Sequence, residues 1–314
     1  MYIGALDIGG TKTIVAITDH QGKIIEKEVF VTEASDCYTH LDQCLEVLGR
    51  IWKSLGGEEQ NLKGIGVTLP GIVDSEKGEL ILAPYEKWEH VPVASYLSQR
   101  FHQVKVFCEN DVNACAIGEQ TFGIGNTYQN YVWITVSTGV GGAVVNEGKL
   151  VKGAQGYAGE LGHLKVEYEN PNLCPCGQYG CLEAQGSGTA LNKLIEKTLQ
   201  EDPALAQAFS RQGVKQDASG CAQLAKAGNE TAKEIFRQIG IYLGRGISYC
   251  VNVLNPQAVI IGGGVAASLD LLLPGIRESV EKNAFRPMGD FEIRETALGY
   301  EAALLGAAAL VLQE

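Results

Sequence analysis

Apolar and polar residues alternate in a way that predicts short strands interleaved with amphipathic helices. Three strand-like runs come first, at 2–7, 13–18 and 24–31, and apolar residues at helical spacing follow over 38–55. The later predicted strands lie at 64–69, 105–108, 131–136, 143–146, 258–261 and 290–295, and the later helices at 112–122, 188–200, 231–254, 269–283 and 301–312. The pattern indicates a mixed α/β protein.

The pattern also restarts halfway along the chain. Residues 2–18 and 131–146 both read as strand, glycine-rich turn and strand, and each is followed by α/β alternation. Two related α/β lobes facing a central cleft explain such a repeat, and ligands favour such clefts. We expect an N-terminal lobe of residues 1–118, with the closing helix of 300–314 packed back on it, and a C-terminal lobe of residues 119–299.

Composition narrows the classes of function. The 314 residues include 25 Lys and Arg against 37 Asp and Glu, a net charge of −12, which disfavours nucleic acid as a partner. The longest nearly unbroken apolar run, 302–312, is shorter than the roughly 20 residues of a membrane-spanning helix. The first residues lack the pattern of a signal peptide. Six of the nine cysteines are scattered in apolar or helical settings, so we expect reduced thiols and a cytoplasmic protein.

Three glycine-rich segments follow predicted strands and are candidates for binding phosphate. The first is 7–12, where backbone N–H groups and the Thr11 hydroxyl can surround an anion and Asp7 can orient Mg²⁺. An ordinary hairpin turn is the alternative for this segment taken alone. The second is 137–142 and the third is 262–264. Three such segments together favour phosphate binding. The residues concerned are Asp7, Gly9, Gly10, Thr11, Lys12, Thr138, Gly139, Gly262, Gly263 and Gly264.

A dinucleotide-dependent dehydrogenase is a competing interpretation of the third segment. Residues 262–267 fit the pattern G-x-G-x-x-A after a strand, and Glu281 lies at a suitable distance along the chain for a ribose contact. The segment falls late in the chain, so this interpretation ranks second.

His163, Cys174, Cys176 and Cys181 form the pattern H-x10-C-x-C-x4-C. Three thiols and one imidazole complete a tetrahedral Zn²⁺ set, and Gly177 and Gly180 permit the tight turn of a zinc knuckle over 163–181. With all four positions filled by protein, such a metal is structural and does not activate water.

A candidate catalytic carboxylate follows the strand at 105–108. Asp111 is placed either to act as a general base on a hydroxyl or to cap the next helix, and Asn110 can fix the hydroxyl by hydrogen bonds. Glu160, His163 and Glu183 are further polar groups near the knuckle. Such a set suits a polyhydroxylated ligand, and the absence of G-x-S-x-G gives a serine hydrolase no support.

Taken together, these motifs resemble the ROK family of sugar kinases, within the actin-like, hexokinase-type ATPase superfamily. The resemblance covers essentially the whole chain, because segments 7–12, 69–74, 109–114, 138–142, 159–163 and 174–183 occur in the family's order. It implies two actin-like (ribonuclease H-like) lobes around a cleft, a zinc knuckle, ATP with Mg²⁺ as phosphate donor, and a homodimer.

The resemblance also implies roles for individual residues. Asp111 is the expected general base. The expected sugar-binding residues are Gly71, Asn110, Asp111, Glu160, His163 and Glu183. Residues 9–12 with Thr138 and Gly139 are expected near the ATP phosphates, and Gly262 to Gly264 near the adenosine. His163 is expected to use one ring nitrogen for Zn²⁺ and the other for the sugar.

Phosphorylation of the 6-hydroxyl of a hexose is the expected reaction, with glucose as first choice. The 159–163 motif resembles that of glucokinases, although some N-acetylhexosamine kinases share it. The segment 82–88 departs from the glucokinase pattern, because an Asn is expected near Pro84 or Tyr85. N-acetylmannosamine, N-acetylglucosamine and fructose remain alternatives. A sugar-responsive ROK regulator is the alternative of another class, and it is disfavoured because little chain precedes Asp7 to form a helix-turn-helix.

Overall fold

The computed structural model describes residues 1–33, 35–57, 62–83, 88–285 and 290–313. Contacts within the chain define two units. Unit 1 comprises Met1–Gln129, Gly148–Ala158 and Ala297–Glu314. Unit 2 comprises Asn130–Glu147 and Gly159–Thr296.

Strands and helices alternate along the described chain, as the sequence pattern predicts. The strands are β1 Tyr2–Ile8, β2 Lys12–Asp19, β3 Ile24–Val31, β4 Leu62–Leu69, β5 Ile72–Asp74, β6 Glu79–Ala83, β7 Trp88–Val91, β8 Val106–Asn110, β9 Tyr131–Val136, β10 Val140–Asn146, β11 Lys149–Leu150, β12 Ala258–Gly262 and β13 Glu292–Glu295. The helices are α1 Cys37–Ser54, α2 Val93–Arg100, α3 Asp111–Phe122, α4 Leu182–Gly186, α5 Gly188–Glu201, α6 Pro203–Gln212, α7 Ala218–Lys226, α8 Glu230–Leu254, α9 Leu269–Asn283 and α10 Ala302–Leu310. The expectation of a mixed α/β protein is confirmed.

The main sheet of unit 1 has the strand order β3-β2-β1-β4-β8. Strands β1, β4 and β8 are parallel, and β2 and β3 extend the sheet as antiparallel strands. Alternate side chains of β1 enter different cores, as the pleat requires. Leu6 and Ile8 pack with residues of α1, whereas Ile3 and Ala5 pack with residues of α10. The three short strands β5, β6 and β7 form a second sheet.

Helix α10 lies close to α3 and to β4 because a glycine stands at each of these two contacts. A Cβ atom on Gly306 of α10 would lie 2.2 Å from the carbonyl oxygen of Ala114 in α3. A Cβ atom on Gly66 of β4 would lie 1.7 Å from the carbonyl oxygen of Ala307. Both distances are far below van der Waals contact, so the backbones approach this closely only without side chains.

Unit 2 contains a sheet in which β10, β9, β12 and β13 lie side by side in that order. Strands β9, β12 and β13 are parallel, and β10 pairs with β9 in antiparallel fashion. Thus β9 and β10 repeat the arrangement of β1 and β2, with a hairpin whose first strand continues into parallel pairing. Helix α8 packs on α9 and supplies buried apolar residues such as Phe236, Leu243 and Ile247 to the core.

Several elements are absent from the sequence-based prediction. The strands β5 to β7 are three to five residues long, and helices α2, α6 and α7 have only eight to ten residues. Their apolar residues are too few to define a period. No helix within the described part of the chain combines the length and apolar character that crossing a membrane requires.

We predict that Gly306→Ala destabilises the protein by about 1–3 kcal/mol, because the new methyl group forces α10 away from α3. Urea unfolding checks this value. Gly49→Ala is the matched control. Gly49 lies within α1, and a Cβ atom there would be 3.7 Å from the Phe101 ring, an ordinary contact distance. A helical glycine with room for a methyl group gains up to about 1 kcal/mol on change to alanine. Equal effects of the two variants would contradict the packing argument.

Candidate active site

The junction between β8 and α3 fixes the position of Asp111. The side-chain oxygen of Asn110 accepts hydrogen bonds from the backbone N–H groups of Val112 and Asn113, at 2.9 and 3.1 Å, and so caps α3. Its side-chain nitrogen donates to the Gly71 carbonyl oxygen at 2.9 Å and to Asp111 Oδ1 at 3.0 Å. The alternative that Asp111 caps this helix is wrong, because Asn110 does so and Asp111 is the first helical residue.

The electrostatic surroundings of Asp111 make its carboxylate more basic. Burial, and secondly the charge of the nearby Asp7 carboxylate, raise the pKa of Asp111 to about 6. Hydrogen bonds from the Val112 N–H and the Asn110 amide act in the opposite direction and moderate the rise. A carboxylate with such a pKa is ionised at pH 7 and still a competent proton acceptor.

Asp7 lies at the end of β1, where Thr68 Oγ1 of the neighbouring strand β4 donates to its Oδ1 at 2.8 Å. Burial raises the pKa of Asp7, while the Thr68 hydroxyl and the Lys12 charge oppose the rise. Mg²⁺ in phosphate-transfer sites is held by one or two protein carboxylates together with phosphate oxygens. A single carboxylate at this position fits that pattern of ligands.

The segment 9–12 is the turn that joins the antiparallel strands β1 and β2, so in its backbone it is a hairpin turn. Its ends are closed by a hydrogen bond from the Gly9 N–H to the Lys12 carbonyl oxygen at 3.0 Å, and Gly10 and Thr11 are exposed. Lys12 Nζ donates to the Tyr300 hydroxyl at 2.5 Å and lies 4.0 Å from the centre of its ring. Lys12 is therefore held at the turn.

Unit 2 contains a cavity of about 520 Å³ at the carboxyl end of β9. Thr138 and Gly264 line it, together with Asn192, Gln223 and Lys226 from the helices α5 and α7. A Cβ atom on Gly264 would meet nothing within 4 Å. This volume falls within the range of small-molecule binding pockets.

The neighbouring glycines have packing roles. A Cβ atom on Gly262 would lie 2.4 Å from the Trp133 ring, and Gly263 adopts a φ of +90°. Gly139 packs against Glu183, whose carboxylate would lie 2.2 Å from an added Cβ atom. Among the predicted nucleotide-binding residues of this unit, Thr138 and Gly264 thus line the cavity, whereas Gly139, Gly262 and Gly263 are not among its lining residues.

The four predicted metal ligands come together in unit 2. Ligand atoms of His163, Cys174, Cys176 and Cys181 all lie within 4.8 Å of one another, and the two sulfur atoms of Cys176 and Cys181 are 3.7 Å apart. A tetrahedral Zn²⁺ with Zn–S bonds of about 2.3 Å places two sulfurs about 3.8 Å apart. Lys165 Nζ lies 3.1 Å from Cys181 Sγ, so a positive charge stands beside the cluster. The cluster fits zinc.

The backbone of the knuckle is shaped by glycines and by pairing with neighbouring chain. Gly177 and Gly180 have φ values of +84° and +76°, which residues with side chains rarely adopt. The Val166 N–H donates to the Gly180 carbonyl oxygen at 2.8 Å, and the Leu182 N–H donates to the Leu164 carbonyl oxygen at 2.8 Å. These contacts bring Cys181 back to the segment that carries His163.

Three predicted sugar-binding side chains of unit 2 surround the knuckle. His163 Nδ1 lies 3.9 Å from Cys174 Sγ, and its Nε2 lies 3.9 Å from Glu160 Oε2, so the two ring nitrogens face different groups. Glu183 Oε1 lies 3.7 Å from Cys174 Sγ, while its Oε2 accepts from the Val140 N–H at 3.2 Å. Glu183 therefore connects the knuckle to the segment that begins β10.

Glu109 and Lys152 are functional candidates that the sequence analysis does not assign. Glu109 is 3% exposed and pairs with Lys152 Nζ at 3.0 Å, and its Oε1 accepts from the Asn110 N–H and the Asn113 amide. The pair holds the junction that carries Asp111. The position of Glu109 directly before Asn110 is the available sequence signal, but nothing in the sequence indicates the partner 43 residues later.

The protein is a mixed α/β protein that carries a buried carboxyl group, a glycine turn and a Cys3His cluster. Its similarity to known proteins shows the family to which it belongs. A model of the ROK family matches residues 3–314. The glucokinase of Thermotoga maritima is 33% identical over 312 residues, which cover 98% of this chain and 96% of that protein. This chain belongs to the ROK family, and the family predicted from its motifs is confirmed.

Both kinases and regulators are among the similar proteins. The crystal structure of a ROK family glucokinase from Streptomyces griseus in complex with glucose and AMPPNP has a TM-score of 0.83 and 28% identity, with 100% of both chains covered. The xylose repressor of Bacillus spizizenii is 28% identical over 313 residues, which cover 99% of this chain and 77% of that protein.

The expected departure from the glucokinase pattern near Pro84 and Tyr85 lies outside the described residues.

We predict that Cys176→Ser lowers the zinc content of the purified protein to near zero, because an oxygen replaces one of three thiolates in the cluster. Metal analysis by mass spectrometry measures the zinc per chain. Cys37→Ser is the matched control, since this thiol is buried in unit 1 and outside the cluster, and it should leave the zinc content unchanged. Full zinc occupancy in Cys176→Ser would refute the assigned ligand set.

Proposed function

We propose that this protein is an ATP-dependent hexose kinase that phosphorylates the 6-hydroxyl group, with glucose as the preferred substrate. The observation that carries the proposal is the Asp111 carboxyl group, which is fixed by Asn110 and has its pKa raised to about 6. Phosphoryl transfer to an alcohol requires a group that accepts the hydroxyl proton as the new bond forms. The resemblance to glucokinases supports the choice of sugar.

Asp111 is assigned as the general base. Its carboxylate accepts the proton of the sugar hydroxyl as that oxygen attacks the terminal phosphate. Asn110, which the motif predicts to hold the sugar hydroxyl, is assigned instead to positioning Asp111. Both hydrogen atoms of its amide are used, one on the Gly71 carbonyl and one on Asp111 itself. Gly71 is assigned to the sugar site through its backbone, because glycine has no side chain. Its φ of +86° is a conformation that glycine adopts readily.

Glu160, His163 and Glu183 are assigned to the other sugar hydroxyls. A carboxylate accepts hydrogen bonds and an imidazole accepts or donates one, which matches the needs of vicinal hydroxyl groups. With Nδ1 of His163 toward the thiols, Nε2 is the nitrogen available for the sugar. Zn²⁺ held by His163, Cys174, Cys176 and Cys181 would fix the ring in this orientation, so its role is structural.

The phosphate donor is assigned to two parts of the chain. The turn at 9–12 supplies the backbone N–H groups of Gly10 and Thr11, the Thr11 hydroxyl and the Lys12 ammonium group for phosphate oxygens. Asp7 is the carboxylate for Mg²⁺. The cavity lined by Thr138 and Gly264 is assigned to the adenosine. Bound Mg²⁺ would neutralise charge on the phosphate oxygens during transfer.

A regulator that binds sugar without phosphorylating it is the second candidate, because xylose repressors match nearly the whole chain. The fixed position of the Asp111 carboxylate beside Asn110 favours the kinase, since ligand binding alone needs no proton acceptor. The formation of ADP separates these two functions.

We predict that the wild-type protein releases ADP from Mg-ATP when glucose is present, and that Asp111→Asn lowers this turnover about 100-fold or more while leaving glucose binding largely intact. A coupled ADP assay measures turnover, and calorimetry measures glucose affinity. Asp42→Asn is the matched control, since this exposed carboxylate of α1 pairs with Arg100 and Tyr96 of α2 and has no assigned role in the site. The same assay ranks glucose against N-acetylmannosamine, N-acetylglucosamine and fructose. Near-normal turnover in Asp111→Asn would overturn the assignment of the base.

The pH dependence of kcat/KM for the sugar provides a second check on Asp111. Because its pKa is raised to about 6 and the ionised form accepts the proton, we predict that kcat/KM falls about tenfold for each pH unit below that value and levels off above it. The profile is measured at saturating Mg-ATP with the coupling enzymes in excess at each pH. An inflection near pH 4 would contradict the raised pKa.

A further inference from the structure

A buried histidine that the proposed mechanism does not use lies at the start of a chain of hydrogen bonds. His40 of α1 is fully buried and contacts the rings of Phe30 and Trp88, whose centres are each 5.7 Å from its own. Its Nε2 lies 2.8 Å from Thr13 Oγ1, and that hydroxyl lies 3.0 Å from Thr32 Oγ1. Thr32 Oγ1 in turn lies 2.6 Å from the carbonyl oxygen of Gly9. All these residues belong to unit 1.

The direction of every hydrogen bond in this chain is determined by its two ends. At one end, the Glu33 N–H points at His40 Nδ1 at 3.2 Å and can only donate, so Nδ1 carries the lone pair and Nε2 carries the proton. At the other end, the Gly9 carbonyl oxygen can only accept. His40 therefore donates to Thr13, Thr13 donates to Thr32, and Thr32 donates to Gly9. We call these three side chains, His40, Thr13 and Thr32, the relay.

The relay ends on the glycine turn between β1 and β2. Thr32 holds this turn twice, because its hydroxyl donates to the Gly9 carbonyl oxygen and its N–H donates to the Thr11 carbonyl oxygen at 3.2 Å. The carbonyl oxygen of Lys12 accepts from the Gly9 N–H. Three of the carbonyl oxygens in residues 9–12 are thus occupied by protein donors. A phosphate is repelled by carbonyl oxygens and attracted by N–H groups, so fixing these oxygens favours the binding of an anion.

We propose that His40, Thr13 and Thr32 are positioning residues that hold the turn at 9–12 in the conformation that binds the phosphates of the nucleotide. This inference rests on the proposed function, which assigns the turn to the phosphate donor. None of the three side chains is assigned to either substrate, and the relay acts by reducing the ordering that nucleotide binding would otherwise require.

Neutrality of His40 is needed for the relay, since a proton on Nδ1 would face the Glu33 N–H. The burial of the ring lowers the pKa of His40, and the nearby Glu33 carboxylate opposes this effect. The imidazole is therefore neutral at pH 7.

The experiment compares Thr32→Val with Thr32→Ser. Valine keeps the shape of threonine and removes the hydroxyl, whereas serine keeps the hydroxyl and removes the methyl group. We expect the affinity for AMPPNP with Mg²⁺, measured by calorimetry, to fall about tenfold in Thr32→Val and to stay within about twofold in Thr32→Ser. Glucose affinity should be unchanged in both variants, because the relay does not reach residues assigned to the sugar.

Remote action by the histidine is tested in the same way with His40→Leu and His40→Gln. Leucine fills the site without polar atoms, whereas the amide of glutamine offers an acceptor for the Glu33 N–H and a donor for Thr13. We expect the leucine variant to lose nucleotide affinity selectively and the glutamine variant to retain most of it. Equal nucleotide affinities in folded Thr32→Val, Thr32→Ser and wild-type proteins would overturn the proposal.

Hydrogen exchange of the free protein separates failure of this inference from failure of the proposed function. Amides of the segment 8–13 should exchange faster in Thr32→Val and in His40→Leu than in Thr32→Ser and wild type, with no ligand present. If wild type binds no nucleotide, the proposed kinase function fails, and the exchange rates still decide whether the relay holds the turn. Unchanged exchange in both disrupted variants would contradict the relay itself.

Discussion

The side-chain amide of Asn110 is the group on which the proposed chemistry depends. Its oxygen caps α3, and its nitrogen binds both the Gly71 carbonyl and the Asp111 carboxylate. One planar amide thus fixes the start of a helix, a glycine loop and a candidate base in a single geometry. Beneath it, Glu109 binds the Asn110 N–H and Lys152, so the junction is supported from the buried side as well. Rotation of the amide would break several of these contacts together, which makes alternative positions of Asp111 costly.

In unit 2, polar contacts connect the knuckle to a neighbouring strand. A metal held by its four side chains would fix Cys174 next to Glu183, and Glu183 also binds the Val140 N–H at the start of β10. Gly139 leaves room for that carboxylate. The four-residue cluster, the candidate sugar ligand Glu183 and the segment 137–142 are therefore linked by direct contacts within one unit, so a metal held by the cluster would stabilise more than the knuckle.

The sequence predicts the long elements and the grouping of one histidine with three cysteines well because both have strong local signals. Apolar periodicity over α1, α8 and α9 and the spacing of three cysteines are visible without any knowledge of distant contacts. The short elements β5 to β7, α2, α6 and α7 lack such a signal, and their formation depends on the surfaces they cover.

Polar networks were predicted less well because their partners are distant in the chain. The sequence leaves two roles open for Asp111, capping α3 or acting as a base. Only the geometry assigns the cap to Asn110. The pairing of Glu109 with Lys152 and the link from His40 to Gly9 join residues 31 to 43 positions apart. Likewise, a run of three glycines at 262–264 predicts a ligand site, yet Gly262 serves packing and Gly263 a backbone conformation that residues with side chains rarely adopt. Such roles are determined by tertiary neighbours.

The central claim is that Asp111 takes the proton from the sugar hydroxyl that is phosphorylated. A crystal structure of the protein with glucose, AMPPNP and Mg²⁺ bound tests this most directly. The account predicts one carboxylate oxygen of Asp111 within about 3 Å of the 6-hydroxyl oxygen, with the Asn110 amide still bound to both Asp111 and Gly71. An Asp111 carboxylate beyond hydrogen-bond reach of every glucose oxygen would contradict it.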